Sequence, residues 1–124
     1  SGAQIGTAFL NTPEAATNDL HRAALLAAED GQTKVTKVIS GRPARGLVNR
    51  YMAEMADRED DTLPFPLQYS VTRPLQAASR EQGSDAFLSL WAGQAVALNR
   101  VLPAADLVEL LVEETRAALA NLGR

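Results

Sequence analysis

The fold of this chain is decided by the stretch SGAQIGTAFL, which occupies residues 1–10. Its first five residues predict a buried β-strand with apolar side chains on one face. Gly6 and Thr7 follow and predict a sharp turn with uncovered backbone N–H groups. The motif TPE at residues 12–14 has the order of a helix N-cap, a first-turn proline and a first-turn acid. The stretch therefore predicts a strand, a tight turn and a helix in direct succession.

A strand, a small-residue turn and a helix N-terminus together favour an anion, because the amides and the helix dipole carry partial positive charge. In a barrel of alternating strands and helices, such turns after the last two strands hold phosphorylated cofactors. We therefore expect Gly6 and Thr7 to bind a phosphate, with Gln4 and Ile5 lining the approach from the strand. A Gly-Thr pair also occurs in turns that bind nothing, so these residues alone leave a purely structural turn open.

The composition of the 124-residue chain is that of an ordinary globular protein, with 46% hydrophobic residues. Its net charge of −3 and its dispersed basic residues argue against a general nucleic-acid binder. There is no cysteine, which excludes disulfides and thiolate metal sites and suits a reducing cytoplasm. The single histidine excludes a multi-histidine metal centre within the chain. No apolar run approaches the roughly 18 residues that a membrane helix needs.

Further along the chain, the residue pattern predicts one short strand and four longer helices. The strand, with one buried face, is expected at residues 33–39. The helices are expected from Asn18 or Asp19 to about Glu29, from Leu47 to Met55, from Leu67 to Glu81 with a bend at Pro74, and from Pro103 to about Leu122. The buried stripe of the last helix is expected to consist of Leu107, Leu111, Ala118 and Leu122.

Two connections carry charged residues. The segment SGRPARG at residues 40–46 presents Arg42 and Arg45, which could bind a phosphate or, alternatively, hold a turn through carboxylates and backbone carbonyls. Residues 57–66 combine a run of acids with two prolines and predict a linker. Consecutive carboxylates on an extended chain point apart, so these acids predict a solvated loop and not a metal site.

The segment AFLSLWAGQAVAL at residues 86–98 places the only tryptophan, Trp91, beside small residues and the amide of Gln94. Small residues such as Gly93 let backbone or a flat ring approach closely. Without other information, Trp91 would be a core residue and Gln94 a capping or surface residue.

Three segments resemble the nitronate monooxygenases, formerly called 2-nitropropane dioxygenases, in the same order: GAQIGTAFL at 2–10, SGRPARGL at 40–47 and LWAGQ at 90–94. Members of this family are FMN-dependent oxidoreductases on a (β/α)8 barrel. They run well beyond twice this length, so the resemblance implies an α/β fold that is the C-terminal part of a TIM barrel plus a mostly helical C-terminal subdomain. The implied organisation is a last barrel strand, phosphate turn and helix at 1–30, a short strand, SGRPARG turn and helix at 31–56, a linker at 57–66 and a helical subdomain at 67–124.

The resemblance also implies an activity: oxidation of alkyl nitronates or nitroalkanes by dioxygen to a carbonyl compound and nitrite, in a cytoplasmic flavoprotein. Gln4, Ile5, Gly6 and Thr7 would bind FMN. The family's base is a histidine upstream of this region, so no catalytic residue is expected here, and the single histidine, His21, is expected to be a partly solvated helix residue.

The substrate-side wall is expected to include Trp91, Gly93 and Gln94. An upstream barrel segment or a companion chain would complete the site, and the enzyme could form a homo-oligomer. Two alternatives stay open: an FMN-dependent enoyl-acyl-carrier-protein reductase on the same scaffold, and a non-enzymatic helical interaction module.

Overall fold

The computed structural model describes residues 2–122, which form four α-helices, three short 3₁₀ helices and one two-stranded sheet. In chain order these are a 3₁₀ helix at Thr7–Asn11, α1 at Asp19–Ala27, β1 at Thr33–Thr36, β2 at Ala44–Leu47, α2 at Arg50–Glu54, a 3₁₀ helix at Ala56–Asp61, α3 at Leu67–Glu81, a 3₁₀ helix at Val96–Leu98 and α4 at Ala104–Leu122. None of the helices in this described range is long and apolar enough to cross a membrane.

β1 and β2 form an antiparallel hairpin in which Thr33 lies opposite Leu47 and Thr36 opposite Ala44. The backbone around Trp91 extends this sheet, since it forms an isolated antiparallel bridge with Gly46. Gly46 has to be a glycine, because an added Cβ would stand 2.9 Å from the carbonyl oxygen of Leu90. The close approach of these two backbones therefore depends on a missing side chain.

The core consists of two apolar clusters. The larger one joins α1 and β2 to the segment before the third 3₁₀ helix, and its buried members are Leu25, Leu47, Leu88, Leu90, Ala92 and Val96. The smaller one lies under α2 and consists of Val38, Ile39 and Met52, with Tyr51, Met55 and Trp91 packed against it. Burial of such side chains is the main favourable term in folding.

α3 has the bounds that the sequence predicts, Leu67–Glu81, and includes Pro74. Gly83, with φ +65°, follows its end and accommodates a backbone conformation that other residues rarely adopt. The buried residues of α3 are all polar: Gln68, Thr72, Gln76 and Ser79. Gln68 Nε2 donates to the carbonyl oxygen of Val38 at 2.6 Å, and Thr72 Oγ1 donates to that of Ile39 at 3.0 Å. These hydrogen bonds attach α3 to the hairpin connection, residues 37–43 between β1 and β2.

An adjacent face of α3 is apolar and exposed. Leu67, Val71 and Leu75 recur at a helical spacing of four and are 56%, 61% and 39% exposed. α3 thus reverses the usual arrangement of an amphipathic helix, in which the apolar stripe faces the core.

The strand expected at the start of the chain is not formed, and this prediction is wrong for the described residues. Residues 2–6 are irregular and exposed, and Thr7 begins a 3₁₀ helix. A β-strand needs a hydrogen-bonded neighbour, and no other segment within residues 2–122 pairs with this one. No helix begins at Thr12 either: residues 12–15 form turns, and the first α-helix starts at Asp19, capped by the side chain of Asn18.

The region around SGRPARG also differs from the expectation. β1 ends at Thr36 and not at residue 39, and the second half of SGRPARG belongs to β2. α2 starts only at Arg50, because Leu47 is a strand residue and Asn49 caps the helix by accepting from the Met52 N–H. Local propensity favoured a helix from residue 47, and pairing with β1 overrides it.

The acidic segment forms the second 3₁₀ helix. Thr36 Oγ1 donates to Glu59 at 2.6 Å, and Lys37 pairs with Asp60 at 3.2 Å, so the hairpin contacts the start of this segment. At the other end of residues 57–66, Phe65 lies close to Gly41. A Cβ added to Gly41 would stand 2.6 Å from the backbone nitrogen of Phe65. The segment expected to be a linker is thus held against the hairpin connection.

α4 begins next to Pro103, as expected, but its buried stripe is short. Leu107 is buried and Leu111 is half-buried, whereas Ala118 is exposed and Leu122 is 83% exposed. The expectation of a four-residue buried stripe is therefore wrong for the second half of the helix, which makes no apolar contact with the two core clusters.

Candidate functional site

A pocket of about 260 Å³ opens where the N-terminal segment, the third 3₁₀ helix and α4 meet. All four residues predicted to bind the cofactor line it: Gln4, Ile5, Gly6 and Thr7. The other lining residues are Ala8, Ala95, Leu98, Asn99, Arg100, Leu107, Leu111 and Glu114. The structure therefore brings the predicted turn together with residues about ninety positions further along the chain.

Thr7 is fixed by a long-range hydrogen bond. The backbone N–H of Gly93 donates to Thr7 Oγ1 at 2.7 Å. A hydroxyl has two acceptor lone pairs and one proton, so this bond leaves the Thr7 proton for another acceptor. One predicted cofactor residue and one predicted substrate-side residue are thus in direct contact.

The segment that carries Gly93 is held on two further sides. The Ala92 N–H donates to the carbonyl oxygen of Arg45 at 3.1 Å, which attaches the segment to β2. His21, on α1, lies with Nε2 3.0 Å from the carbonyl oxygen of Trp91. A carbonyl only accepts, so the proton of this bond is on Nε2 of the imidazole.

His21 is buried, unlike the partly solvated histidine that the sequence predicts. Burial lowers the pKa of His21 below its ordinary value of 6.5, and the hydrogen bond to the Trp91 carbonyl opposes this in part. The imidazole is therefore neutral near pH 7, and its contact is with the backbone of residue 91, not with the pocket.

Asn99 and Arg100 contribute polar groups to the pocket that the sequence did not suggest. Asn99 Oδ1 accepts from the Arg100 N–H at 3.1 Å, while Asn99 Nδ2 is buried and has no partner among the described residues. A buried amide donor without a partner is costly. Arg100 forms an ion pair of 2.7 Å with Glu114 on α4, so its charge is neutralised within the lining.

The loop before α1, residues 12–18, contacts the start of α4, a helix that lines the pocket. The Arg22 guanidinium donates to the carbonyl oxygens of Thr12, Ala15 and Thr17. These hydrogen bonds hold the loop in place and give three of its carbonyl groups a partner. From the same loop, the carboxylate of Glu14 accepts from the Ala104 N–H, the first amide of α4. The Thr-Pro-Glu motif thus caps a distant helix and not its own.

The other predicted site residues lie outside the pocket lining. The Trp91 ring packs against the smaller core cluster and against Gly46, and the Gln94 side chain is exposed. Arg45 donates to the Thr33 carbonyl and hydroxyl oxygens at 3.1 Å, and the Arg42 guanidinium stands 5.1 Å from the Phe65 ring centre. The contacts of these arginines are those of residues that hold a turn. The substrate-side role of Trp91 and Gln94 stays a prediction.

No group of three or more His, Asp or Glu side chains within residues 2–122 is arranged to hold a metal ion.

Comparison with known proteins gives consistent matches. The family model described as "Nitronate monooxygenase" matches residues 1–114. A nitronate monooxygenase of Pseudomonas aeruginosa is 44% identical over 94% of this chain, and a probable nitronate monooxygenase of Bacillus subtilis is 36% identical over 91%. The chain spans 33% of the length of each of these relatives.

Two solved structures extend the comparison. A nitroalkane oxidase from Streptomyces ansochromogenes superposes with a TM-score of 0.84 at 38% identity, over 96% of this chain and 34% of its own. FabK from Thermotoga maritima superposes with a TM-score of 0.71 at 22% identity, over 94% and 37%, and at that identity it speaks for the fold alone. Both neighbours have the TIM-barrel fold, and this chain matches about a third of each, so the predicted fold class is confirmed.

Proposed function

Because the chain belongs to the nitronate monooxygenase family, we propose that it supplies the FMN phosphate turn and part of the substrate-side wall of a nitronate-oxidising flavoenzyme. The reaction is the oxidation of alkyl nitronates or nitroalkanes by dioxygen to a carbonyl compound and nitrite. The observation that carries the proposal is the pocket in which Gln4, Ile5, Gly6 and Thr7 meet, with the Thr7 hydroxyl fixed by Gly93.

The residues present fit a phosphate. The Thr7 hydroxyl keeps a proton to donate, and no atom lies within 4 Å of where a Cβ on Gly6 would stand, so the backbone of the turn is open to a ligand. Asn99 also lines this pocket, and its Nδ2 is a buried donor with no partner among residues 2–122. Backbone amides and hydroxyls of this kind are common partners of phosphate groups.

Each part of the lining has a distinct task in this proposal. Gly6 and Thr7 hold the phosphate through backbone amides and the Thr7 hydroxyl, and Gln4 and Ile5 line the approach to it. Bound FMN would supply the redox chemistry, taking electrons from the substrate and passing them to dioxygen. The chain's own contribution is to bind and orient the cofactor and to keep water away from part of it.

The substrate-side wall is assigned to Trp91, Gly93 and Gln94. Gly93 contacts Thr7 directly, which puts this segment close to the phosphate turn, and the exposed amide of Gln94 can both donate and accept. Trp91 would give this wall an apolar side. The catalytic base and the rest of the site come from an upstream barrel segment or a companion chain.

The decisive experiment measures the dissociation constant of FMN in the assembled enzyme with Thr7→Ala. A hydrogen bond to a charged group contributes about 1.5–3 kcal/mol, so the variant should bind FMN about tenfold more weakly or worse. Thr7→Ser, which keeps the hydroxyl, is the matched control and should bind FMN nearly as well as the unmutated enzyme. An unchanged constant in Thr7→Ala would refute the phosphate assignment.

The two alternatives are distinguished by simple assays. An enoyl-acyl-carrier-protein reductase would oxidise NADH in the presence of an enoyl thioester, whereas the proposed enzyme would consume dioxygen and release nitrite from a nitronate. A non-enzymatic interaction module would lack the yellow colour of bound flavin after purification. The cytoplasmic location stays a prediction.

A further inference from the structure

Thr7 and Gly93 are 86 positions apart in sequence and form a bond whose direction is fixed by chemistry. A backbone N–H can only donate, so Thr7 Oγ1 is the acceptor of the 2.7 Å bond. Thr7 Oγ1 donates to no acceptor within the described part of the chain. The hydroxyl proton is therefore available to a group in the pocket that Thr7 lines.

Gly93 also leaves the space that Thr7 needs. A Cβ added at Gly93 would stand 3.3 Å from Thr7 Oγ1, the one atom within 4 Å, and that is closer than an ordinary van der Waals contact. Gly93 has no left-handed backbone conformation that would require glycine. An added Cβ at this position would therefore require Thr7 Oγ1 and the residue 93 backbone to move apart by a few tenths of an ångström.

The backbone behind Gly93 is not free to move away from an added side chain. Residue 92 is hydrogen-bonded to Arg45 on β2, and the carbonyl of residue 91 accepts from His21 on α1. Ala92 itself is buried in the larger core cluster. A side chain at position 93 would accordingly displace Thr7, because the 3₁₀ helix that begins at Thr7 is short and its N-terminal neighbours are exposed.

We propose that Gly93 is a positioning residue for the cofactor phosphate: its N–H and its missing side chain together direct the Thr7 hydroxyl proton into the pocket. This inference rests on the proposed function, since it presumes that Thr7 donates to the phosphate of FMN. It adds a role on the phosphate side to the place that the proposed function gives Gly93 in the substrate-side wall.

The test compares FMN with riboflavin, which has the same ring and ribityl chain and no phosphate. In the assembled enzyme, Gly93→Ala should weaken FMN about five- to tenfold, the loss of roughly one hydrogen bond, and leave riboflavin affinity unchanged. Gly2→Ala is the matched control, since a Cβ at Gly2 meets no atom within 4 Å and should change neither affinity. An equal loss for both ligands, or no loss, would overturn the inference.

Combination with Thr7→Val tests whether the two residues act as a unit. If Gly93 acts through the Thr7 hydroxyl, Gly93→Ala should cause no further loss of FMN affinity once that hydroxyl is gone. Independent losses that add would show that Gly93 acts by another route. If Gly93→Ala does not fold, hydrogen exchange in the unmutated enzyme answers the same question: the Gly93 amide should exchange more slowly with FMN bound and at an unchanged rate with riboflavin bound. An amide unaffected by FMN would contradict the inference.

The outcomes separate this inference from the function on which it rests. If the unmutated enzyme binds FMN no more tightly than riboflavin, the proposal that Gly6 and Thr7 bind the FMN phosphate is refuted. A selective loss of FMN affinity in Thr7→Ala together with none in Gly93→Ala would remove only the role of Gly93.

Discussion

The carboxylate oxygens of Glu14 lie 3.1 and 3.2 Å from the amide nitrogen of Ala104, the first residue of α4. Glu14 therefore acts as an N-cap for a helix that begins ninety residues later. The helix so capped contributes Leu107 and Leu111 to the pocket, and the loop that carries Glu14 is held by Arg22. The geometry of the pocket wall thus depends on a side chain that lies outside it.

Removing this cap should loosen the first turn of α4. Loss of an N-cap side chain costs about 1 kcal/mol, so Glu14→Ala should make the amides of the first turn of α4 exchange with solvent about fivefold faster. Hydrogen exchange followed residue by residue measures this. Asp30→Ala, at an exposed carboxylate in the turn after α1, should leave the exchange of α4 unchanged. Unchanged exchange in Glu14→Ala would show that the contact does not stabilise α4.

Gly41 and Gly31 form a matched pair, since both have a positive φ, +84° and +81°. A Cβ at Gly31 meets nothing within 4 Å, whereas a Cβ at Gly41 would stand 2.6 Å from the Phe65 nitrogen. Both alanine variants incur the left-handed backbone cost of about 1–2 kcal/mol. Gly41→Ala should lose about 1–3 kcal/mol more, because it overpacks the contact with residues 63–65. Denaturant titration compares the two, and equal losses would contradict the close approach seen here.

His21 should make stability depend on pH. Burial lowers the pKa of His21 in the folded protein below 6.5, so the unfolded chain binds more protons than the folded one as the pH falls through that value. The free energy of unfolding should therefore decrease below pH 6.5 and level off once both states are protonated. His21→Gln, which keeps a donor for the Trp91 carbonyl, should show a flatter profile over this range. Parallel profiles for the two proteins would mean that His21 contributes no pH dependence.

Gln68 should be the most sensitive polar residue of α3. Its Nε2 donates to the Val38 carbonyl at 2.6 Å and its Oε1 accepts from the Leu63 N–H at 3.0 Å. Gln68→Met keeps the length of the side chain and leaves both backbone groups without this partner, at a cost of about 1–3 kcal/mol. Gln82→Met, at an exposed glutamine after α3, should change the free energy of unfolding by less than about 0.5 kcal/mol. Similar losses in both variants would argue against the buried bonds.

Gln94 tests the substrate-side assignment. If Gln94 contacts substrate or flavin, Gln94→Ala should reduce turnover or raise the Michaelis constant of the assembled enzyme and leave its melting temperature nearly unchanged. The side chain is exposed and makes no hydrogen bond within residues 2–122, so its removal should cost little stability. A variant with unchanged kinetics and a lower melting temperature would remove Gln94 from the site.

The elements that could be predicted are those whose signals are local. α3 was predicted with its observed bounds, because Pro66 precedes it and Gly83 follows it. The start of α1 was predicted because Asn18 caps it. These residues act within a few positions of the backbone that they terminate, so the sequence contains the whole signal.

The elements that could not be predicted depend on distant partners. β2 was missed because Ala44 and Gly46 have low strand propensity, and pairing with β1 and the Trp91 segment determines their conformation. The strand expected at residues 1–5 failed for the converse reason, since a favourable pattern without a neighbour forms no sheet.

The candidate site divides in the same way. Adjacent residues predict the Gly6–Thr7 phosphate turn, and both residues line a pocket, while their binding of a phosphate stays a prediction. The contact of Thr7 with Gly93 and the cap from Glu14 to α4 each join residues about ninety positions apart. Spacing in the sequence carries no signal for such contacts. Glu14 shows this clearly, since its motif predicted a cap for the adjacent helix.

The reversed polarity of α3 bears on the heat capacity of unfolding. Exposing apolar surface raises the heat capacity by about 0.45 cal/K/mol per Å², and exposing polar surface lowers it by about 0.26. Detaching α3 exposes Gln68, Thr72, Gln76 and Ser79, while Leu67, Val71 and Leu75 are already exposed. This helix should therefore contribute less to the heat-capacity increment than the usual ~12–15 cal/mol/K per residue. The free energy that attaches α3 should therefore depend little on temperature, because hydrogen bonds to the hairpin connection hold the helix and burial of apolar surface contributes little.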